Sequence, residues 1–209
     1  MAGNTVIVGA AFREGMTVNT HNNTKGLVRA FDVRTGKQLW RFNTIPRPGE
    51  FGNETWEENS WSYNGNTGVW TQITVDEELG LAYLPIETPT SDFYGGHRPG
   101  NNLFAETLVA VDLKTGQRKW HYQLVHHPIW NFDNCCASLL ADISVNGKLR
   151  RVVAQPSKQS QLIPVAMGLD AHDGHALPLQ LEDEPATGAT ERVLVLDEAR
   201  SFYTFVNID

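Results

Sequence analysis

The residues best suited to chemistry in this sequence stand close together in its second half. In chain order they are His126, His127, Asn131, Asp133, Cys135 and Cys136. Among these side chains, the carboxylate of Asp133 can accept a proton at neutral pH, whereas the amide of Asn131 cannot. Within eleven residues the chain therefore brings together a carboxylate, an amide, two imidazoles and two thiols.

The adjacent histidines do not have the pattern of a metal site. Neighbouring side chains in a strand point to opposite faces, so His126 and His127 cannot easily bind one ion. No cysteine or histidine stands at zinc-site spacing from them. We expect them to have a structural role or to belong to a substrate loop.

The two cysteines are neighbours in the chain. Adjacent Cα atoms lie about 3.8 Å apart, closer than the roughly 4.4 Å lower bound of ordinary disulfides. A bond between Cys135 and Cys136 would be strained, so we expect two free or separately partnered thiols.

A repeated hairpin motif must position these residues. The pattern A-x-D-x-x-T-G-x-x-x-W runs from Ala30 to Trp40 and again from Ala110 to Trp120, 80 residues later. The aspartate can accept backbone N–H groups of the turn, the glycine can adopt positive φ, and the tryptophan can cover a neighbouring sheet. Such a repeat is typical of β-propeller blades, which are four-stranded sheets around an axis.

The pattern of apolar residues and turns extends this interpretation along the chain. It predicts strands over 5–10, 26–32, 38–43, 69–76, 81–87, 107–112, 118–124, 139–144 and 149–155, with a hairpin turn at Asn146-Gly147. Because a blade needs roughly 40–50 residues, 209 residues provide about three to four blades. We expect an all-β partial propeller at 1–162 and a degenerate blade or irregular segment at 163–209, cut from a longer protein.

Composition restricts the functions open to the chain. A net charge of −7 without a cluster of lysine or arginine argues against nucleic-acid binding. Six tryptophans and 41% hydrophobic residues argue against disorder. There is no basic, apolar leader and no apolar run near the roughly 18 residues of a membrane span.

Six strings carry a resemblance to a known family. They are NTGVW at 66–70, LAYLP at 81–85, DFYGG at 92–96, VHHPIWNFD at 125–133, ADISVNG at 141–147 and QPSK at 155–158. With these strings, in this order, the sequence resembles the pyrroloquinoline quinone (PQQ) dependent dehydrogenases, and among them the glucose-dehydrogenase-like branch. The resemblance implies an eight-bladed quinoprotein propeller that holds a planar quinone near its axis.

The resemblance assigns cofactor contacts to two residues. Trp70 matches the tryptophan that stacks on one face of the quinone, and Lys158 matches the lysine that hydrogen-bonds the quinone oxygens. The alternatives are a tryptophan in the core of a blade and a solvated lysine at the end of a strand.

The implied catalytic and metal residues depart from the family pattern. The family places its catalytic aspartate directly after the tryptophan matching Trp130, where this chain has Asn131. Either Asp133 replaces that base as proton acceptor, or Asp133 is purely structural and the chemistry is lost. The family also uses Ca²⁺ as a Lewis acid, and Thr88 matches an asparagine that is a calcium ligand in some relatives, with Glu87 beside it as a second oxygen donor.

By resemblance, the parent protein oxidises an alcohol or an aldose. A hydride passes to a calcium-bound quinone, and the electrons go on to a membrane quinone or a cytochrome in the periplasm. This chain alone is expected to be inactive without the remaining blades. The alternative is a non-catalytic propeller scaffold, or an inactive remnant, that uses the same tryptophan repeat.

Overall fold

The computed structural model describes residues 2–10, 23–145, 148–159 and 162–166. Within them lie ten strands and two short 3-10 helices, Asn53–Thr55 and Glu57–Ser62. The strands are β1 Thr5–Ala10, β2 Leu27–Asp32, β3 Gln38–Asn43, β4 Thr74–Asp76, β5 Leu81–Pro85, β6 Thr107–Asp112, β7 Arg118–Gln123, β8 Leu139–Val145, β9 Lys148–Pro156 and β10 Leu162–Ala166. No helix among the described residues is long and apolar enough to cross a membrane.

The strands form three antiparallel sheets. The central sheet has the order β4-β5-β6-β7 and is a complete four-stranded meander. It is preceded by the three-stranded sheet β1-β2-β3 and followed by a sheet of order β10-β9-β8. The predicted all-β, partial-propeller fold is confirmed.

Both repeat motifs form the same hairpin. The Oδ1 atom of Asp32 accepts the Thr35 N–H at 2.8 Å, and that of Asp112 accepts the Thr115 N–H at 2.9 Å. The glycine that closes each turn has positive φ, 68° at Gly36 and 70° at Gly116. These conformations are the turn chemistry that the sequence pattern requires.

Trp40 joins the first sheet to the second. Its indole Nε1 donates a hydrogen bond to the Leu113 carbonyl oxygen at 2.9 Å. A Cβ atom added to Gly116 would lie 2.6 Å from the Trp40 ring, so the indole rests directly on that glycine. The tryptophan of one repeat thus docks on the turn of the next.

Buried side chains of the central sheet point alternately to its two faces and pack into two separate clusters. Ala82 and Leu84 pack in a cluster with Val28 and Ala30 of the first sheet. Tyr83, between them in β5, packs instead with Val153 of the third sheet. Since successive side chains in a strand point to opposite faces, the central sheet is covered on both sides.

Two predicted strands are shorter than expected. The strand predicted over 69–76 begins only at Thr74, because the Val69 carbonyl packs against Gly9 of β1. The strand predicted over 81–87 ends at Pro85, because the Glu87 N–H bonds to the Gly68 carbonyl instead of the next strand.

The predicted boundary at 162/163 falls inside the last described strand. Strand β10 crosses that boundary, and residues 167–209 lie outside the described residues. The predicted Asn146-Gly147 turn also lies outside them, although β8 and β9 on either side pair with Val145 opposite Lys148. The division into two segments stays a prediction.

The fold brings the long loops to one rim. Antiparallel order places the end of β5, the start of β6, the end of β7, the start of β8 and the end of β9 on the same side of the sheets. The connecting residues 86–106, 124–138 and 157–159 therefore meet there. A rigid sheet that presents long loops is a common way to build a site.

Candidate functional site

The centre of the rim is the ammonium group of Lys158. Its Nζ donates to Asp133 Oδ2 at 2.5 Å and to Asn131 Oδ1 at 2.6 Å. Asp133 is buried, and 37% of the Lys158 side chain is exposed. Three residues that the sequence singled out are thus in direct contact across two loops.

Both oxygens of Asp133 are engaged. While Oδ2 is bound to Lys158, Oδ1 accepts the backbone N–H of Thr88 at 2.9 Å. The carboxylate is therefore fixed between the segment after β5 and the segment after β9. Each oxygen keeps a second lone pair, so the carboxylate can accept a further hydrogen bond.

Asn131 bridges Lys158 to an acid that the sequence reasoning missed. Its Nδ2 donates to Asp92 Oδ2 at 2.8 Å, while its Oδ1 accepts from Lys158. Burial raises the pKa of Asp92 above its ordinary value; the Asn131 hydrogen bond opposes this, and the charge of Asp133 adds to it. The signal for Asp92 was its place at the head of the DFYGG string.

Glu106 is a second acid that the sequence reasoning missed. Its carboxyl is fully buried, and Oε1 accepts hydrogen bonds from the Thr88 hydroxyl and from the Phe132 N–H at 2.8 Å. Burial raises its pKa to about 7, against the lowering effect of these hydrogen bonds. An acid between the apolar segments Leu103–Ala105 and Leu108–Val111 was the available signal.

A buried guanidinium holds the two loops together. Arg98 Nη1 donates to Asn102 Oδ1 at 2.8 Å, and Nη2 donates to the Ser91 carbonyl at 3.3 Å and to the Pro128 carbonyl. These contacts fix the loop that carries Asp92 beside the loop that carries Asn131. A side chain with five donors in a planar fork suits this task.

Trp70 lies on the surface, where 49% of its area is exposed. This exposure favours the stacking interpretation of Trp70 over a tryptophan in the core of a blade, and the assignment stays a prediction. It borders a groove of about 430 Å³ that is also lined by residues 7–9 of β1 and by 69–73. Two hydrogen bonds join the residues before Trp70 to the residues after β5. The Gly68 N–H donates to Glu87 Oε1 at 2.8 Å, and the Thr67 N–H donates to the Thr88 carbonyl at 3.3 Å.

The two predicted calcium donors face different partners. Glu87 accepts the Gly68 N–H, whereas the Thr88 hydroxyl donates to Glu106. The described residues contain no group of three or more His, Cys, Asp or Glu side chains that could hold a metal ion. Because Ca²⁺ takes six to eight oxygen ligands, these two residues alone do not make a calcium site.

The histidines and cysteines have separate surroundings. His127 Nδ1 is 2.8 Å from the Gly100 carbonyl oxygen, and its backbone N–H donates to the Asn101 carbonyl, so it ties down a loop. His126 is exposed.

Cys135 and Cys136 are free, half-buried thiols. Burial, together with the neighbouring Cys135, raises the pKa of Cys136.

Comparisons with known proteins give the family context. Residues 1–177 match the family described as PQQ: glucose/ethanol/alcohol dehydrogenase, beta-propeller domain. The chain is 35% identical to the quinoprotein glucose dehydrogenase of Escherichia coli K12 over 147 residues, which are 66% of this chain and 17% of that protein. It is 32% identical to the glycerol dehydrogenase large subunit of Gluconobacter oxydans over 163 residues, which are 77% of this chain and 21% of that one.

Solved structures agree with the fold. The quinohemoprotein alcohol dehydrogenase ADHIIG of Pseudomonas putida superposes with a TM-score of 0.68 at 25% identity, over 84% of this chain and 29% of that one. The quinohemoprotein alcohol dehydrogenase of Comamonas testosteroni superposes with a TM-score of 0.69 at 24% identity, over 85% of this chain and 30% of that one.

The chain spans about a fifth of the length of its curated relatives. From the match over residues 1–177, the chain belongs to the PQQ-dependent glucose/ethanol/alcohol dehydrogenase family, of which it contains part of the β-propeller domain.

Proposed function

We propose that this chain is the cofactor-holding part of a PQQ-dependent dehydrogenase that oxidises an alcohol or an aldose. The observation that supports this most is the direct contact of Lys158 with Asn131 and Asp133 at the rim. Family membership alone would be compatible with a propeller that had lost its site. Because 37% of the Lys158 side chain is exposed, its ammonium can contact a bound ligand while it is held by Asp133.

Two residues have the properties that a planar quinone needs, and the proposal places both against one ring; the groove at Trp70 is lined by β1 and the segment before β4, and Lys158 lies in the rim loops. The exposed Trp70 offers a wide apolar face beside a groove, and Lys158 offers a cation that is accessible to solvent. PQQ supplies the two-electron acceptor when it is bound. In this proposal Trp70 covers one face of the ring and excludes water, while Lys158 stabilises negative charge on the ring oxygens.

We assign the proton-accepting role to Asp133. Asn131 occupies the position of the family base and cannot accept a proton, but its two hydrogen bonds hold Lys158 and Asp92 in place. Asp133 is a carboxylate within the same cluster, so it is the base that this proposal requires. Its two oxygens contact Lys158 and Thr88, so the carboxylate is held in one orientation within the cluster.

Calcium stays a prediction. Glu87 and Thr88 are its proposed donors, but the remaining ligands would have to come from the bound quinone or from other parts of the parent protein. No proton or electron step is assigned to the ion here. Whether calcium raises PQQ affinity is a direct test of these two residues.

The remaining parts of the proposal follow the relatives. Their names include a lupanine hydroxylase linked to cytochrome c and alcohol dehydrogenases linked to quinone. We therefore propose a membrane quinone or a cytochrome as the electron acceptor, an alcohol or sugar as the substrate, and a periplasmic location for the parent protein.

Equilibrium titration with PQQ, with and without calcium, tests the proposal. Trp70→Ala and Lys158→Met should each weaken binding at least tenfold. Phe51→Ala is the matched control for the first, because 50% of Phe51 is exposed and it packs on Arg118 instead. Lys119→Met is the control for the second, since the ion pair of Lys119 among the described residues is with Asp112, at 3.5 Å and away from the rim.

A second function is favoured by one observation. Asn131 replaces the family base, and Asp133 is bound on both oxygens, as an inactive or scaffolding propeller would allow. Absence of PQQ uptake by the wild-type chain would favour this scaffold and contradict the enzyme. Uptake that is unchanged by Trp70→Ala and Lys158→Met would contradict the assigned site.

A further inference from the structure

Glu106 is held in an unfavourable state that its own contacts do not explain. It lies just before β6 with a backbone φ of 42°, a conformation that residues other than glycine rarely adopt. Its carboxyl is fully buried, and Oε2 has no hydrogen-bond partner among the described residues. Left-handed backbone and a buried, half-satisfied carboxyl each destabilise a fold.

The hydrogen bonds of Glu106 close a small ring. Its Oε1 accepts from the Thr88 hydroxyl and from the Phe132 N–H, while the Thr88 N–H donates to Asp133, the residue after Phe132. These bonds therefore join Thr88 to Phe132 through Glu106 and join Thr88 to Asp133 directly, although the two segments are far apart in the sequence. Removing Glu106 leaves two described hydrogen bonds between these segments, from the Thr88 N–H to Asp133 and from Asn134 Nδ2 to the Ile86 carbonyl, and neither of them holds the Phe132 N–H.

The ring lies directly beneath the cluster at the rim. Phe132 is flanked by Asn131 and Asp133, the two residues that bind the Lys158 ammonium. Asn131 itself has φ of 52°, so this short segment adopts a conformation that needs support from outside. Glu106 supplies that support through the Phe132 N–H, which would otherwise be a donor without an acceptor.

We propose that Glu106 is a positioning residue, whose buried carboxyl joins Thr88 to Phe132 and thereby fixes Asn131 and Asp133 in the geometry that binds Lys158. Glu106 does not itself touch substrate, because its side chain is fully buried. The consequence for cofactor binding rests on the proposed function, whereas the consequence for the loop does not.

Amide hydrogen exchange on the full 209-residue chain tests the positioning role without any ligand. Glu106→Ala should speed exchange of the Phe132 amide at least tenfold. Glu106→Gln keeps a carbonyl oxygen that can accept both hydrogen bonds, so it should restore exchange to within about threefold of wild type. The Gly116 amide, bonded to the Asp112 carbonyl, is the internal control and should not change.

A second variant guards against failure of Glu106→Ala to fold. Thr88→Val removes the hydroxyl donor at nearly constant shape and should also speed exchange at Phe132. Unchanged Phe132 exchange in the folded variants would overturn the proposal. Equal effects of Glu106→Ala and Glu106→Gln would overturn it as well, since only the glutamine keeps an oxygen that can accept both hydrogen bonds.

PQQ titration separates this inference from the proposed function. If the wild-type chain binds PQQ, Glu106→Ala should weaken binding at least tenfold and Glu106→Gln less than threefold. Equal affinity of Glu106→Ala and wild type would overturn the link to the site. If the wild-type chain takes up no PQQ, the proposed function fails, and the exchange experiment alone decides the role of Glu106.

Discussion

Two glycines in identical turns allow the docking of Trp40 to be measured. Gly36 and Gly116 have φ of 68° and 70° and close the two copies of the repeat hairpin. A Cβ atom at Gly36 would meet no described atom within 4 Å, whereas one at Gly116 would lie 2.6 Å from the Trp40 ring. Replacing each by alanine therefore applies the same backbone strain in two different surroundings.

The expected losses differ by about 2 kcal/mol. Alanine in a left-handed conformation costs about 1 kcal/mol, and this is the whole effect expected for Gly36→Ala. Gly116→Ala also displaces the indole and weakens its bond to Leu113, which adds about 2 kcal/mol of overpacking and lost hydrogen bonding. The free energy of unfolding should fall by about 1 kcal/mol in the first variant and about 3 kcal/mol in the second.

Urea unfolding followed by tryptophan fluorescence measures both losses. Combining Gly116→Ala with Trp40→Phe closes a double-mutant cycle, in which the second substitution should cost less than it does alone, because the clash is already relieved. Equal losses for Gly36→Ala and Gly116→Ala, or additive effects in the cycle, would refute the docking of the first sheet on the second through this contact.

Three further predictions concern the rim. The pKa of Glu106 is raised to about 7 in the folded chain, so the free energy of unfolding should fall by about 3 kcal/mol as pH rises from about 4.5 to 7. Urea unfolding measures this fall, and it should be absent in Glu106→Gln. Asn131→Asp places a second carboxylate near Asp92 Oδ2, so carbon-13 NMR titration should show the pKa of Asp92 rising further; a lower value would contradict the contact. Lys158→Met leaves Asp133 buried without its cation, so the free energy of unfolding in a thermal melt should fall by about 1–2 kcal/mol. Lys119→Met removes an exposed ion pair and should lower the free energy of unfolding by under about 0.5 kcal/mol.

The sequence predicted the sheets because their determinants are local. The Asp32 and Asp112 turns and the alternation in β5 and β6 each depend on residues within a few positions of one another. Strand ends were less predictable where a distant residue decides them. Strand β4 starts late because Val69 packs on Gly9, a contact across 60 residues.

The site was predicted only where the family strings covered it. Lys158, Asn131 and Asp133 were singled out, and the structure places them in contact. Asp92 and Glu106 were not singled out, since their roles depend on partners that lie 39 and 26 residues away. Only folding shows that these acids meet the loop of Asn131, because the local signals, the DFYGG string for Asp92 and the flanking apolar segments for Glu106, do not identify the partner.

The most direct test of the central claim is lysine acetylation followed by mass spectrometry, with and without saturating PQQ. The Lys158 and Lys119 side chains are both accessible before binding, at 37% and 51% exposed. We expect PQQ to slow acetylation of Lys158 at least fivefold and to leave Lys119 unchanged. Bound PQQ that leaves the reactivity of Lys158 unchanged would contradict the assignment of this rim as the quinone site.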